Sequence, residues 1–203
     1  MTTAERDERW VPAEPEFWIF VFGDLAVFTA FFFIWATAQR GDPELFAAGR
    51  ATLNQTIGIA NTALLLTSSA AVAAAVRSLR AGSATLARRW YLAGICLGAG
   101  FLILKAIEYA EHLAGGLGSL TGPFYVDYFV FTGVHALHVL LGVCGLAIVR
   151  ARAAKASAPQ VATPGSVTPD PAAPRMLIHE ALATYWHMID VVWIVLFSLI
   201  YLT

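Results

Sequence analysis

The stretch DYFVFTGVHALHVLLGVCGLAIV, residues 127–149, decides the fold. It is apolar over a length that crosses about 30 Å of hydrocarbon as a helix. It runs without the apolar/polar alternation of a barrel strand. Four further stretches read the same way, at 17–38, 57–79, 90–109 and 181–202. In hydrocarbon a backbone must satisfy itself, so five such segments specify helices. The expected fold is all-α: a polytopic membrane helical bundle of five transmembrane helices in one membrane domain over 1–203.

Composition agrees. Hydrophobic residues make up 58 % and charged residues 13 %, against about 25 % charged in a soluble domain. The net charge is −1, and no basic patch points to nucleic acid. Cys96 and Cys144 each sit inside an apolar span and read as small buried hydrophobes. The acidic, polar start (Glu5 to Glu16) does not have the form of a cleavable signal peptide, so the first span is expected to be its own insertion signal.

Loop charges set the expected orientation. With the N-terminus cytoplasmic, that side holds Arg6, Arg9, Arg77, Arg80, Arg88, Arg89, Arg150, Arg152, Lys155 and Arg175, and the other side only Arg40 and Arg50. The bias of ten to two places the C-terminus outside. Between the fourth and fifth spans, residues 153–174 carry five prolines among Ala, Ser and Thr, the composition of a flexible cytoplasmic linker.

The ionisable residues inside the spans carry the functional question. Asp24, Lys105, Glu108, Asp127, His135, His138, His187 and Asp190 lie within or at the ends of apolar segments, where a charge at mid-membrane costs about 3 kcal/mol. Lys105 and Glu108 are an i, i+3 pair of opposite sign that lessens this cost. His135 and His138 share one helix face, as do His187 and Asp190. Two histidines do not make a metal site, which wants a third and fourth ligand at matched depth. Neutral imidazoles bonded to neighbouring helices are the favoured reading. Depth along the helices puts Glu108 level with His135, and Asp24 in the same third as His187 with His138 a little deeper. Acid–imidazole pairs are therefore expected as Glu108–His135 and as Asp24 with His138 or His187. On the second span Asn61 and Ser68 lie one above the other, an expected hydrogen-bonding seam, and Gly94 and Gly98 form a G-x-x-x-G for close helix approach.

No phosphate-binding glycine loop, nucleophile elbow or H-E-x-x-H is visible, so any chemistry is expected to belong to a partner. Two alternatives stay open on the residues: a proton- or ion-coupled transporter using these groups as a relay, and a membrane cytochrome b with His135 as an axial ligand. The lack of an inverted repeat argues against the first.

Taken in order, five motifs resemble subunit III of the haem–copper oxidase superfamily. They are FWIFVFGD (17–24), LN (53–54) with NTALLLTSS (61–69), EY (108–109), TGVHALHV (132–139) and YWHMIDVVW (185–193). The last two, at this separation, are the specific ones. The resemblance covers about 17–202 except the linker, and is to a short five-helix form without the first two helices of longer members. It implies a non-catalytic subunit that binds no redox cofactor and packs on a catalytic subunit I, which holds haem with copper or iron. Membrane lipids, including structural phospholipid, are the other implied neighbours. Two positions resemble the branch associated with nitric oxide reductases: Asp24, where cytochrome oxidases typically carry a glutamate, and Lys105, where they carry a glutamine. The implied role is to stabilise the catalytic subunit and to aid proton uptake, in aerobic electron transport.

Overall fold

The computed structural model describes residues 15–118, 121–155 and 173–203. Its elements are α1 (Pro15–Gly41), α2 (Pro43–Ala51), α3 (Gln55–Arg80), α4 (Ala84–Ala114), α5 (Pro123–Lys155) and α6 (Ala173–Phe197), the last widening into a π-helical turn at Ser198–Leu202. The five long helices are each apolar and long enough to cross a membrane. They extend beyond the hydropathy limits: α4 runs 84–114, where apolarity alone marked 90–109. Polar ends such as Arg88 and Arg89 stay helical because long side chains reach water from a buried stem. Most of the 153–174 linker lies outside the described residues. Its first three and last two residues are helical, as the ends of α5 and α6.

Chain reversal is local chemistry. After α3, Gly82 takes φ +75° and the Ser83 N–H reaches back to the Ser78 carbonyl at 2.8 Å. After α4, Gly116 takes φ +78° and the Leu117 N–H reaches the His112 carbonyl at 2.8 Å. A left-handed residue closing the last carbonyls favours glycine at each point. Asn54 starts α3 by accepting from the N–H groups of Thr56 and Ile57.

Hydropathy passed over α2. It begins with Asp42 accepting the Leu45 N–H at 3.1 Å and Pro43 in the first turn. It lies across the end of α1, with Phe46 buried between Trp35 and Phe124 at ring separations of 5.1 and 5.6 Å.

Helices α1, α4 and α6 run one way, and α3 and α5 the other. Ser68 meets Gly94, Thr62 meets Trp193, and Tyr109 meets Thr132. One end, the near end, holds Pro15, Arg80 and Ala84. The far end holds Gly41, Gln55, Pro123 and Leu202. Between them Trp186 fills the bundle. A Cβ on Gly98 would stand 2.8 Å from its ring and one on Gly142 2.6 Å, so both glycines are needed for α4 and α5 to close on the indole. Gly94 packs under Val72. Cys96 and Cys144 do not follow the buried reading: both are exposed. In a bilayer the outer face of a helix is as apolar as its core, so an apolar setting does not say which face a residue takes.

Candidate functional site

Asp24, Lys105, Glu108, His135, His138, His187 and Asp190 fall into three groups and one isolated ring. At the far end, α4 brings Lys105 and Glu108 one turn apart, 2 % and 0 % exposed. Lys105 Nζ donates to Glu108 Oε2 at 2.8 Å, to Tyr201 Oη at 2.9 Å and to Tyr128 Oη at 3.3 Å. Tyr201 Oη donates in turn to Glu108 Oε1 at 2.6 Å. The rings of Tyr109, Tyr128, Trp193 and Tyr201 surround the ammonium at 4.8–5.5 Å. All three ammonium donors are thus used, and the opposite charges cancel inside an aromatic cage. His112 Nδ1 donates to the Glu108 carbonyl at 2.8 Å and its ring stacks on Tyr128.

The Glu108–His135 pairing is corrected here. Glu108 spends its carboxylate on Lys105 and Tyr201, whereas neither nitrogen of His135 has a partner among the described residues. His135 is fully buried and enclosed by rings: Trp193 at 5.1 Å, Phe101 at 5.6 Å and Phe28 at 6.3 Å. Equal depth placed the two residues at one level, but their helices aim them at different neighbours.

Asp24 sets α1 against α5. Its Oδ1 and Oδ2 both lie 3.3 Å from His138 Nε2. His138 Nδ1 donates to the Val134 carbonyl at 2.7 Å. That bond assigns the Nδ1 proton, so a hydrogen bond between Nε2 and the carboxylate requires one more proton between them. Phe28 stands against the His138 ring at 5.4 Å, and Tyr185 Oη donates to the His138 carbonyl at 3.4 Å.

His187 takes a different partner. Its Nδ1 and Ser69 Oγ are 2.5 Å apart, and Asp190 Oδ2 is 3.9 Å from the same nitrogen. The Asp190 side chain is 5 % exposed and that of His187 44 %. The α3 seam is divided. Ser68 Oγ donates to the Gly94 carbonyl at 2.9 Å, tying α3 to α4. Asn61, fully buried, has no hydrogen-bond partner for its amide among the described residues, which corrects its place in that seam.

Sequence reasoning missed the tyrosines. Tyr128 and Tyr201 complete the Lys105 cage, and Tyr91 Oη pairs with His179 Nδ1 at 2.9 Å near the other end. Arg80 meets Glu180 at 2.9 Å there, joining α3 to α6 at the surface. Among the described residues, no three or more His, Cys, Asp or Glu side chains gather as a metal site would require.

Residues 14–203 match the family described as cytochrome c oxidase subunit III. A cytochrome c oxidase subunit 3 of Corynebacterium diphtheriae is 30 % identical over 185 residues, covering 90 % of this chain and 84 % of that one. A cytochrome bo(3) ubiquinol oxidase subunit 3 of Pseudomonas aeruginosa is 28 % identical, covering 92 % and 82 %. A haem–copper oxidase subunit I+III of Aeropyrum pernix is 27 % identical, over 91 % of this chain and 22 % of that longer polypeptide.

Proposed function

The chain belongs to the cytochrome c oxidase subunit III family, and from that premise we propose that it is the accessory subunit that holds a haem-bearing catalytic subunit I in working order. It is a multi-pass membrane protein and a membrane subunit of the haem–copper oxidase class. The observation that carries the proposal is the match over 14–203, most of the chain. At the far end Lys105, Glu108 and Tyr201 close on one another as a self-contained buried ion pair, in keeping with a structural role for that cluster. In this reading haem, with copper or iron, resides in the partner, and this chain carries no electron-transfer centre. The rest of its surface meets membrane lipid, structural phospholipid included. Residues 1–203 act as a single membrane domain, with the N-terminus and the 153–174 linker cytoplasmic and the C-terminus outside, as the charge bias directs.

Asp24 is the group for a second contribution. An acid paired with His138 near the cytoplasmic third is chemically suited to accept and pass protons for the catalytic subunit. A second reading, a nitric oxide reductase-associated complex, rests on Asp24 and Lys105. One experiment tests all of this. The tagged chain is purified from native membranes in mild detergent, its partners are identified by mass spectrometry, and haem spectra and oxygen or nitric oxide consumption are recorded. The expected result is a haem-bearing subunit I that consumes oxygen. Consumption of nitric oxide alone selects the second reading. A chain that carries its own Soret band, or brings down no haem protein, overturns both.

A further inference from the structure

The outward face of α6 presents His187, Val191, Ile194 and Val195, between α1 on one side and α3 on the other. His187 lies 11 residues from Met176 and 15 from Leu202, the limits of the span. At 1.5 Å per residue that is about 16 and about 22 Å from the ends of a helix longer than the hydrocarbon core, and about 10 Å from Glu180 at the near-end surface, within the hydrocarbon. Its Nδ1 is taken by Ser69 Oγ, and its Nε2 has no partner among the described residues. Other outward hydroxyls within the spans satisfy themselves. Thr29, Thr37 and Thr67 each return the hydroxyl to a carbonyl of their own helix at 2.7–3.0 Å. His187 does not do so, because Ser69 holds its Nδ1 across to α3.

We infer that this face, centred on His187, is where the catalytic subunit docks, through a transmembrane helix carrying a hydrogen-bonding side chain opposite Nε2. An acyl chain cannot bond an imidazole, and the nearer headgroups, at the level of Glu180, lie roughly 10 Å away along the helix. Only another protein helix can complete the ring at that depth. Val191, Ile194 and Val195 supply the apolar surround that such a helix packs against. The occupant is subunit I and not a second copy, because the Aeropyrum relative carries subunits I and III in one polypeptide, which keeps the two side by side. The inference rests on the accessory-subunit reading and assigns it a face.

The test places photo-reactive p-benzoylphenylalanine at Val191, 57 % exposed and one turn from His187, or at Leu141, 55 % exposed on α5. Both variants are irradiated in native membranes. The adduct at 191 is expected to be catalytic subunit, and that at 141 lipid. An adduct at 191 with lipid or with a second copy, while the complex still co-purifies, overturns the docking face and leaves the accessory role intact. Absence of any haem-bearing partner overturns the accessory role itself. His187→Leu is expected to lower retention on the catalytic subunit about three- to tenfold, the range for one interhelical hydrogen bond in membranes. His187→Gln, whose amide reaches a similar position, should restore it. Equal retention of all three proteins would also overturn the assignment.

Discussion

Tyr201 Oη donates to Glu108 Oε1 across 2.6 Å, although 93 residues separate them. The same oxygen accepts from Lys105, so one phenol at the end of the chain completes a buried ion pair on α4. Tyr201→Phe removes both bonds and should destabilise the folded subunit by about 1.5–3 kcal/mol, the range for hydrogen bonds to charged groups. Glu108→Gln leaves the ammonium without its counter-charge and should cost about 3–5 kcal/mol, while Lys105→Met with Glu108→Leu should recover much of that. Thermal melts of the purified complex in detergent rank the three. If both single variants melt with the parent, the cluster is not a stabilising element.

Asp24 and His138 respond to chemistry more than to shape. The amide introduced by Asp24→Asn can donate to a neutral Nε2, so that variant should keep α1 docked on α5. Asp24→Leu leaves the imidazole unpaired and should lower yield in the assembled complex, by about 1–3 kcal/mol of stability. If the acid moves protons, stopped-flow proton uptake slows in the assembled Asp24→Asn complex. Unchanged uptake assigns Asp24 to packing alone.

Two glycines should behave in opposite ways. Gly98→Val drives a side chain into Trp186 and Val143, already 2.8 and 3.0 Å from an added Cβ, and should destabilise by about 1–3 kcal/mol through overpacking. Gly23 has nothing within 4 Å of an added Cβ. Gly23→Ala should be neutral or stabilising by up to about 1 kcal/mol. Membrane accumulation of each variant, read by fluorescence of a fused reporter, checks the contrast.

Arg80 and Gly116 lie at opposite ends of α4 and its preceding turn. Paired alkaline phosphatase and green fluorescent protein fusions should report cytoplasm at Arg80 and the outside at Gly116. Reversal of the two would invert the orientation that ten basic residues against two imply. The same side for both would contradict α4 as a span.

The spans were legible because hydrocarbon leaves helices as the answer to a long apolar run. The short α2 carried its own signal, Asp42 followed by Pro43, but nine residues of mixed polarity do not register in hydropathy. Within the site, the Lys105–Glu108 pair could be read from i, i+3 spacing, since both residues belong to one helix. Pairings across helices could not be read so well. Depth, from residue count, sets Glu108 and His135 at one level, but rotation about each axis decides who meets whom. Tyr201 was hidden for a further reason: the π-helical turn at Ser198–Leu202 departs from the 3.6-residue period that would have aimed it. The outward turn of Cys96 and Cys144 was hidden because lipid and core look alike to an apolar sequence.

The first helix touches the bundle through a narrow seam. Val21, Phe28 and Trp35, its buried large side chains, recur every seven residues, with Ile19, Phe22 and Phe33 turned outward. Asp24 stands next to that seam. A single inserted or deleted residue between Phe28 and Trp35 would turn one half of the helix about 100° against the other, lifting either Trp35 out of its nest with Phe46 or Asp24 away from His138. Tolerance along α1 is therefore lopsided: most of its side chains can vary in kind, while the number of residues between Asp24 and Trp35 cannot.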